Sequence, residues 1–343
     1  MAKTEFNSLA TMIGSLPHTD AEAACSDVLR YLKEIPSWPQ LPKRSHLENM
    51  YAQFSEGFPG ISFKNDDVYV DHSKDLDKQL EALYIAFLDN DIDKFPLSPD
   101  YAAGFKCFRK LDNLSPLAVK GQVTGPISWG LTVADENRRA VLYDDILADA
   151  LAKLLRLKAG WQEKVLRRIS PNTIIFVDEP YMAAYGSSAT TTLSSKDVIN
   201  SLEEVFGGIT GLKGVHCCGN TDWSVLLATT VDILSFDAYN YAESLSLYPA
   251  EVKKFLDRGG AVAWGIVPNE EAELEKETAS SLKDRLEEAM APFTRKEVPF
   301  RQLVRQGLLT PSCGLASLSS PEVANRVLEL LAELSALIRK RYV

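Results

Sequence analysis

Basic clusters, long apolar runs and paired cysteines are what this 343-residue sequence lacks. Its formal net charge is −10, with Lys and Arg scattered along the chain. A surface without concentrated positive charge lacks the electrostatic term that dominates phosphate-backbone binding, so nucleic acid is not an expected partner. No run approaches the roughly 20 apolar residues of a membrane span, and the N-terminus shows no basic stretch leading into an apolar secretion core. A cytoplasmic protein with no membrane partner is expected. The five cysteines, Cys25, Cys107, Cys217, Cys218 and Cys313, are an odd number in a long chain. They suit metal binding or packing in a reducing compartment better than a disulfide framework. No Gly-x-Gly-x-x-Gly follows the first apolar segment, so an open doubly wound sheet with a dinucleotide site has no support. No Ser/Gly/Pro-rich linker divides the chain, and 45% hydrophobic with 24% charged residues is ordinary for a sizeable core. One domain over residues 1–343 is expected.

What the sequence does contain is a repeated alternation. An apolar segment from Leu9 to Leu16 precedes a helical pattern from Ala21 to Leu32. The Pro-rich stretch 35–42 holds a short second strand, and 61–70, with Asn65, Asp66 and Asp67 at its middle, reads as a surface hairpin inserted at about 61–72. A third strand at 118–123 is closed by Thr124-Gly125-Pro126, and a long helix from Ala140 to Ile169 is expected to kink near Gly160. Strands at 173–177, 212–216, 231–236, 261–266 and 308–311 then alternate with helices. Eight strands in βα repetition predict a (β/α)8 barrel, whose chemistry gathers at the C-terminal ends of its strands.

Several of those ends carry metal-competent or acid–base residues. The run Leu212 to Val215 delivers His216, Cys217 and Cys218. Side chains alternate along an extended backbone, so His216 and Cys218 share a face and Cys217 points away. Cys217 is then either packing or a displaced alternative ligand. A second apolar run ends at Cys313, giving three soft ligands for the three-protein-ligand, one-open-position pattern of catalytic zinc. Asp237, after a further run, is either a fourth ligand or a carboxylate hydrogen-bonded at a strand end. Two thiolates and a neutral imidazole bring a Zn2+ site to net zero charge, which activates water poorly but suits a thiol that ionises on the metal. Asp178 and Glu179 precede Pro180 in a strand-end turn, where a carboxylate either holds a substrate ammonium, moves a proton, or caps the next loop.

Taken together, Ile13-Gly14-Ser15, Gly125-Pro126-Ile127-Ser128-Trp129, Val177-Asp178-Glu179-Pro180, His216-x-Cys218, Asp237 and Ser312-Cys313-Gly314-Leu315 resemble the C-terminal catalytic barrel of cobalamin-independent methionine synthase, within the wider uroporphyrinogen decarboxylase-like superfamily. The resemblance implies zinc held by His216, Cys218, Cys313 and Asp237, the last in place of the family's usual Glu. It also implies a homocysteine site lined by Ile13, Ser15 and Trp129, with Asp178 on the amino group and Glu179 beside it as a further catalytic carboxylate. The expected activity is methyl transfer to homocysteine or another small thiol. The His-x-Cys-Gly-Asn form is similar also to corrinoid-dependent enzymes that methylate coenzyme M, and a metal-free decarboxylase is the alternative from another class. Two departures bear on the donor. The chain has one barrel's length where the long synthases have two, and the family's His before a Pro at the end of the seventh strand is Ile266 here. Methylcobalamin or a methylated corrinoid protein is therefore the expected donor in place of methyltetrahydrofolate.

Overall fold

The computed structural model describes residues 5–111, 114–187, 190 and 193–343. Its strands, in chain order, are β1 (Leu9–Ala10), β2 (Ile61–Lys64), β3 (Asp67–Val70), β4 (Val119–Thr124), β5 (Ala134–Asp135), β6 (Thr173–Asp178), β7 (Leu212–Cys217), β8 (Ile233–Phe236), β9 (Ala261–Val267) and β10 (Leu308–Pro311). Seven of them form one curled parallel sheet in the order β1-β10-β9-β8-β7-β6-β4, with helices in the connections. Strands such as Thr-Ile-Ile-Phe-Val-Asp are buried along their whole length, as parallel strands covered on both faces must be.

The two faces of the sheet have separate cores. Leu9, Ile35, Ala118, Ile174, Phe176, Ile233, Ala261, Ala263 and Leu308 form an apolar plug on the concave side. Their in-between neighbours Ile175, Val177, Val215, Leu234 and Leu309 belong to the larger core under the helices. This period of two fixes which strand-end side chains face inward. Asp178 continues the Ile174–Phe176 row inward, whereas Cys217 continues Val215 outward and is fully buried in the helix-side core.

The edge strands β1 and β4 are bridged by the Pro-rich segment. Ser37 pairs with Lys120 and Ser15 with Gln40, both parallel, and Gln40 N donates to Gly14 O at 3.0 Å. The segment expected as a second strand thus appears as isolated bridges, because Pro36, Pro39 and Pro42 have no N–H to give a ladder. The first strand is also shorter than expected. Only Leu9–Ala10 pairs with β10, and the chain from Ile13 to Leu16 turns toward Gln40 instead. Gly14 makes that path feasible: a Cβ there would lie 2.7 Å from Gln122 Cδ and from Gln40 Oε1.

The helix Asp145–Leu166 runs unbroken, capped by Asp144 on the amides of Ile146 and Leu147. The expected kink at Gly160 is absent. That glycine instead admits the Gly208 carbonyl, which a Cβ would meet at 3.0 Å. The hairpin β2–β3 turns through Asn65 and Asp66, both at positive φ as a two-residue hairpin turn requires. Its β3 strand also pairs with β5, a two-residue strand too short to mark the sequence pattern.

Candidate metal centre and its pocket

His216 faces inward from β7, and Cys218 follows on the same side just past the strand. Cys313 enters from the turn after β10. That turn is held by Ser312, whose N–H donates to Val267 O at 2.8 Å and whose hydroxyl donates to Asn269 Oδ1 at 2.8 Å. Gly314 lets the turn lie on the chain after β1, since a Cβ there would be 2.3 Å from Ser15 Oγ. The imidazole and the two thiols so gathered place one ligand atom each within 4.8 Å of one another.

His216 Nδ1 lies 3.0 Å from Ser235 Oγ, while Nε2 is buried with no hydrogen-bond partner. An orphaned ring nitrogen beside two sulfurs has the donor chemistry of a zinc site, with one nitrogen oriented by an outer partner and the other left for the metal. The thiols add to this. A hydrogen bond from Cys313 holds the Cys218 thiol well below its ordinary value, with burial opposing and His216 assisting, and the same contact pushes Cys313 up. The pair therefore already favours one thiolate. These residues fit zinc.

The cluster opens onto a cavity of about 220 Å³ lined by Ile13, Ser15, Met50, Asp178 and Pro180 as well as by the three candidate ligands. A larger cleft of about 510 Å³ between the helices Asp145–Leu166 and Ser195–Phe206 has no His or Cys in its lining. In the smaller cavity Asp178 Oδ1 is buried without a partner. Burial raises its carboxyl above the usual range, and the nearby positive charge of Lys120 and the His216 imidazole pull it back.

The remaining expected site residues are placed elsewhere. Glu179 is fully buried outside the cavity lining. Its carboxylate accepts from Ile127 N at 3.0 Å, Ser128 N at 2.7 Å and Ser128 Oγ at 2.6 Å, pinning the first turn of the helix Pro126–Thr132. Gly125 leaves room for it, because a Cβ would sit 2.1 Å from the carboxyl carbon. Burial pushes this carboxyl up to about 7. Trp129 is likewise a core residue: it packs on Phe58 at 4.9 Å, and its indole N–H donates to Tyr51 O at 2.8 Å. Asp237 stands outside the three-residue ligand cluster. Its carboxylate accepts from Asn240 N at 2.9 Å and Asn240 Nδ2 at 2.7 Å, capping the helix Ala238–Ser246. Cys217 is pushed up to about 12 by burial and so stays a thiol. Ile266 is buried in the core, and His18 is buried against Asp27 at 3.0 Å outside the cavity lining.

Sequence reasoning missed Lys120, Gln40, Glu48 and Met50. Lys120 had a legible signal, being a charged residue at an inward position of an apolar strand; the others lie in irregular chain with no such pattern.

No protein-family profile and no curated protein matches the sequence. Solved structures do resemble it. A methyltransferase from Methanosarcina mazei superposes with a TM-score of 0.57 at 14% identity, covering 100% of this chain and 95% of that one. A protein provisionally named a vitamin-B12-independent methionine synthase, from Listeria monocytogenes, superposes with a TM-score of 0.52 at 15% identity, covering 92% of this chain and 85% of that one. At such identities the likeness establishes the α/β fold with its curled parallel sheet.

Proposed function

We propose that the chain is a zinc-dependent methyltransferase acting on a small thiol, with homocysteine as acceptor and a methylated corrinoid as donor. The observation that carries this is the convergence of His216 Nε2, Cys218 and Cys313 on a small cavity that is also lined by Asp178, whose Oδ1 is buried without a partner. The names of the two structural neighbours, a methyltransferase and a provisionally named vitamin-B12-independent methionine synthase, support methyl transfer and a homocysteine acceptor; the corrinoid donor rests on the residues of this chain instead. We take residues 1–343 as one catalytic unit on a (β/α)8 barrel, with the segment around Ser37–Gln40 as the eighth stave. The protein is taken to work in the cytoplasm; no helix among its described residues is long and apolar enough to cross a membrane.

Bound by His216, Cys218 and Cys313, zinc supplies a Lewis acid that keeps an acceptor thiol deprotonated near neutral pH. The chain's residues do the rest. Asp178 accepts hydrogen bonds from the acceptor's ammonium group, and Ile13 and Ser15 wall the side of the cavity. In the transfer the acceptor gives up its S–H proton to solvent water, the thiolate sulfur forms the sulfur–methyl bond, and the cobalt–carbon bond of the donor breaks with its electron pair passing to cobalt. That leaving group needs no proton. Methyltetrahydrofolate does need one at its leaving nitrogen; Ile266 is aliphatic, Glu179 and His18 lie outside the cavity lining, and of the two carboxyls that do line it Asp178 is assigned to the ammonium and Glu48 is held by Arg44 Nη1 and Leu41 N.

The cavity discriminates among the other readings. Its volume of about 220 Å³ is below that of ordinary drug-sized sites, which suits a small amino acid as the acceptor seated inside it. A buried carboxylate with a free oxygen favours an ammonium-bearing acceptor over the sulfonate of coenzyme M. Zinc-loaded protein with homocysteine should form methionine from methylcobalamin or a methylated corrinoid protein, and hardly any from methyltetrahydrofolate. Equal turnover with the folate would overturn the donor assignment, and no turnover with any donor would overturn the function.

A further inference from the structure

Lys120 is fully buried inside the curled sheet, directly above the apolar plug. Removing an ammonium from water is costly, and an apolar residue of the same length would fill the space with no such cost. Its contacts show what the charge is used for. Nζ donates to the Ile13 carbonyl at 2.6 Å and to Gln122 Oε1 at 3.2 Å, and it stands 4.3 Å from the centre of the Phe176 ring. Gln122 is itself held, its Oε1 accepting from Ser37 Oγ at 2.9 Å and its amide donating to Trp38 O at 3.2 Å. The lysine is thus anchored from three sides and gives its shortest bond to a backbone atom of the cavity wall.

That wall is tied at its far end, where Gln40 N donates to Gly14 O at 3.0 Å, Leu16 N to Gln40 O at 2.9 Å and Leu315 N to Ser15 O at 2.9 Å, and more sparsely at the end nearer the sheet. The ladder of β1 stops at Ala10, one more bond follows from Thr11 N to Leu309 O, and the chain then leaves the sheet. Ile13 and Ser15 nevertheless line the cavity. Between the last sheet bond and the bridge at Ser15–Gln40, the Lys120 ammonium is what holds the Ile13 carbonyl. The geometry points to Lys120 as the positioning residue of the cavity, fixing the Ile13–Ser15 wall against which the substrate seats. It touches no reacting atom. Its kinetic consequence rests on the proposed thiol methyl transfer, but its structural consequence does not.

The test is Lys120→Met, close in length and without charge, with Lys120→Gln as a second variant that keeps a donor. Amide exchange of residues 12–16 should speed up about tenfold or more in Lys120→Met, with exchange in β6 to β9 unchanged and thermal stability equal to or above that of the wild type. Lys120→Gln should recover part of the protection. In the zinc-loaded enzyme Lys120→Met should raise the KM for the acceptor about tenfold, leave kcat within about threefold, and retain the metal. Unchanged exchange at 12–16, or loss of stability throughout the barrel in both variants, would overturn the positioning role. Wild-type protein that binds no thiol would sink the proposed function and leave the exchange result to decide on Lys120.

Discussion

His216 Nδ1 and Ser235 Oγ stand 3.0 Å apart across neighbouring strands, at ladder positions that pair directly. The contact engages Nδ1 and leaves Nε2 without a partner, which is why Nε2 is the proposed zinc ligand. Outer partners of this kind typically contribute about 10–100-fold to metal affinity, so Ser235→Ala should weaken zinc binding about tenfold in a competitive chelator titration while the fold is retained. His216→Ala and Cys313→Ser should lose the metal and the activity. Unchanged affinity in Ser235→Ala would mean that the serine does not orient the ring.

Cys217 and Cys218 are adjacent in sequence, yet Cys217 lies in the helix-side core and Cys218 lines the cavity. Cys217→Ser should keep one zinc per chain, whereas Cys218→Ser should lose it, as read by metal analysis after gel filtration. The reverse result would overturn the strand-face assignment.

Glu179 makes a prediction about stability alone. Glu179→Ala strands the buried amides of Ile127 and Ser128, which should cost about 3 kcal/mol in denaturant unfolding with zinc content unchanged. Loss of the metal with little loss of stability would return Glu179 to the active site.

Asp178 sets a pH dependence. Burial pushes its carboxyl up to about 6, so it is anionic at neutral pH and takes up a proton as the pH falls through that value. Affinity for an ammonium-bearing acceptor should therefore be full above pH 7 and decline toward pH 5. Asp178→Asn, measured calorimetrically at pH 7.5, should bind as weakly as the wild type does at pH 5. Equal affinity of variant and wild type at pH 7.5 would make Asp178 structural.

Much of this arrangement was legible in the sequence because buried parallel strands are continuous apolar runs. Thr173 to Val177 and Leu212 to Val215 announce where they end, and hence the positions of Asp178, His216 and Cys218 at the same rim. Asp178 and Glu179 are neighbours, and alternation allows only one of them to face inward. Asp237 followed three residues later by Asn240 has the form of a helix N-cap, which is the role observed. Trp129 is four residues past Gly125, inside a helix whose buried face packs on Phe58, and no local pattern separates that from a pocket wall. The chain from Ile13 to Met50 was least legible. Its order comes from side-chain contacts with Lys120, Gln122 and Gln53, which have no sequence period.

The most direct measurement is zinc-edge X-ray absorption on the metal-loaded protein before and after addition of homocysteine. With His216, Cys218 and Cys313 as protein ligands, the first shell should contain two sulfurs and gain a third on addition, at the expense of a nitrogen or oxygen. A first shell that is unchanged by homocysteine, in protein shown to carry zinc, would contradict thiol activation at this site.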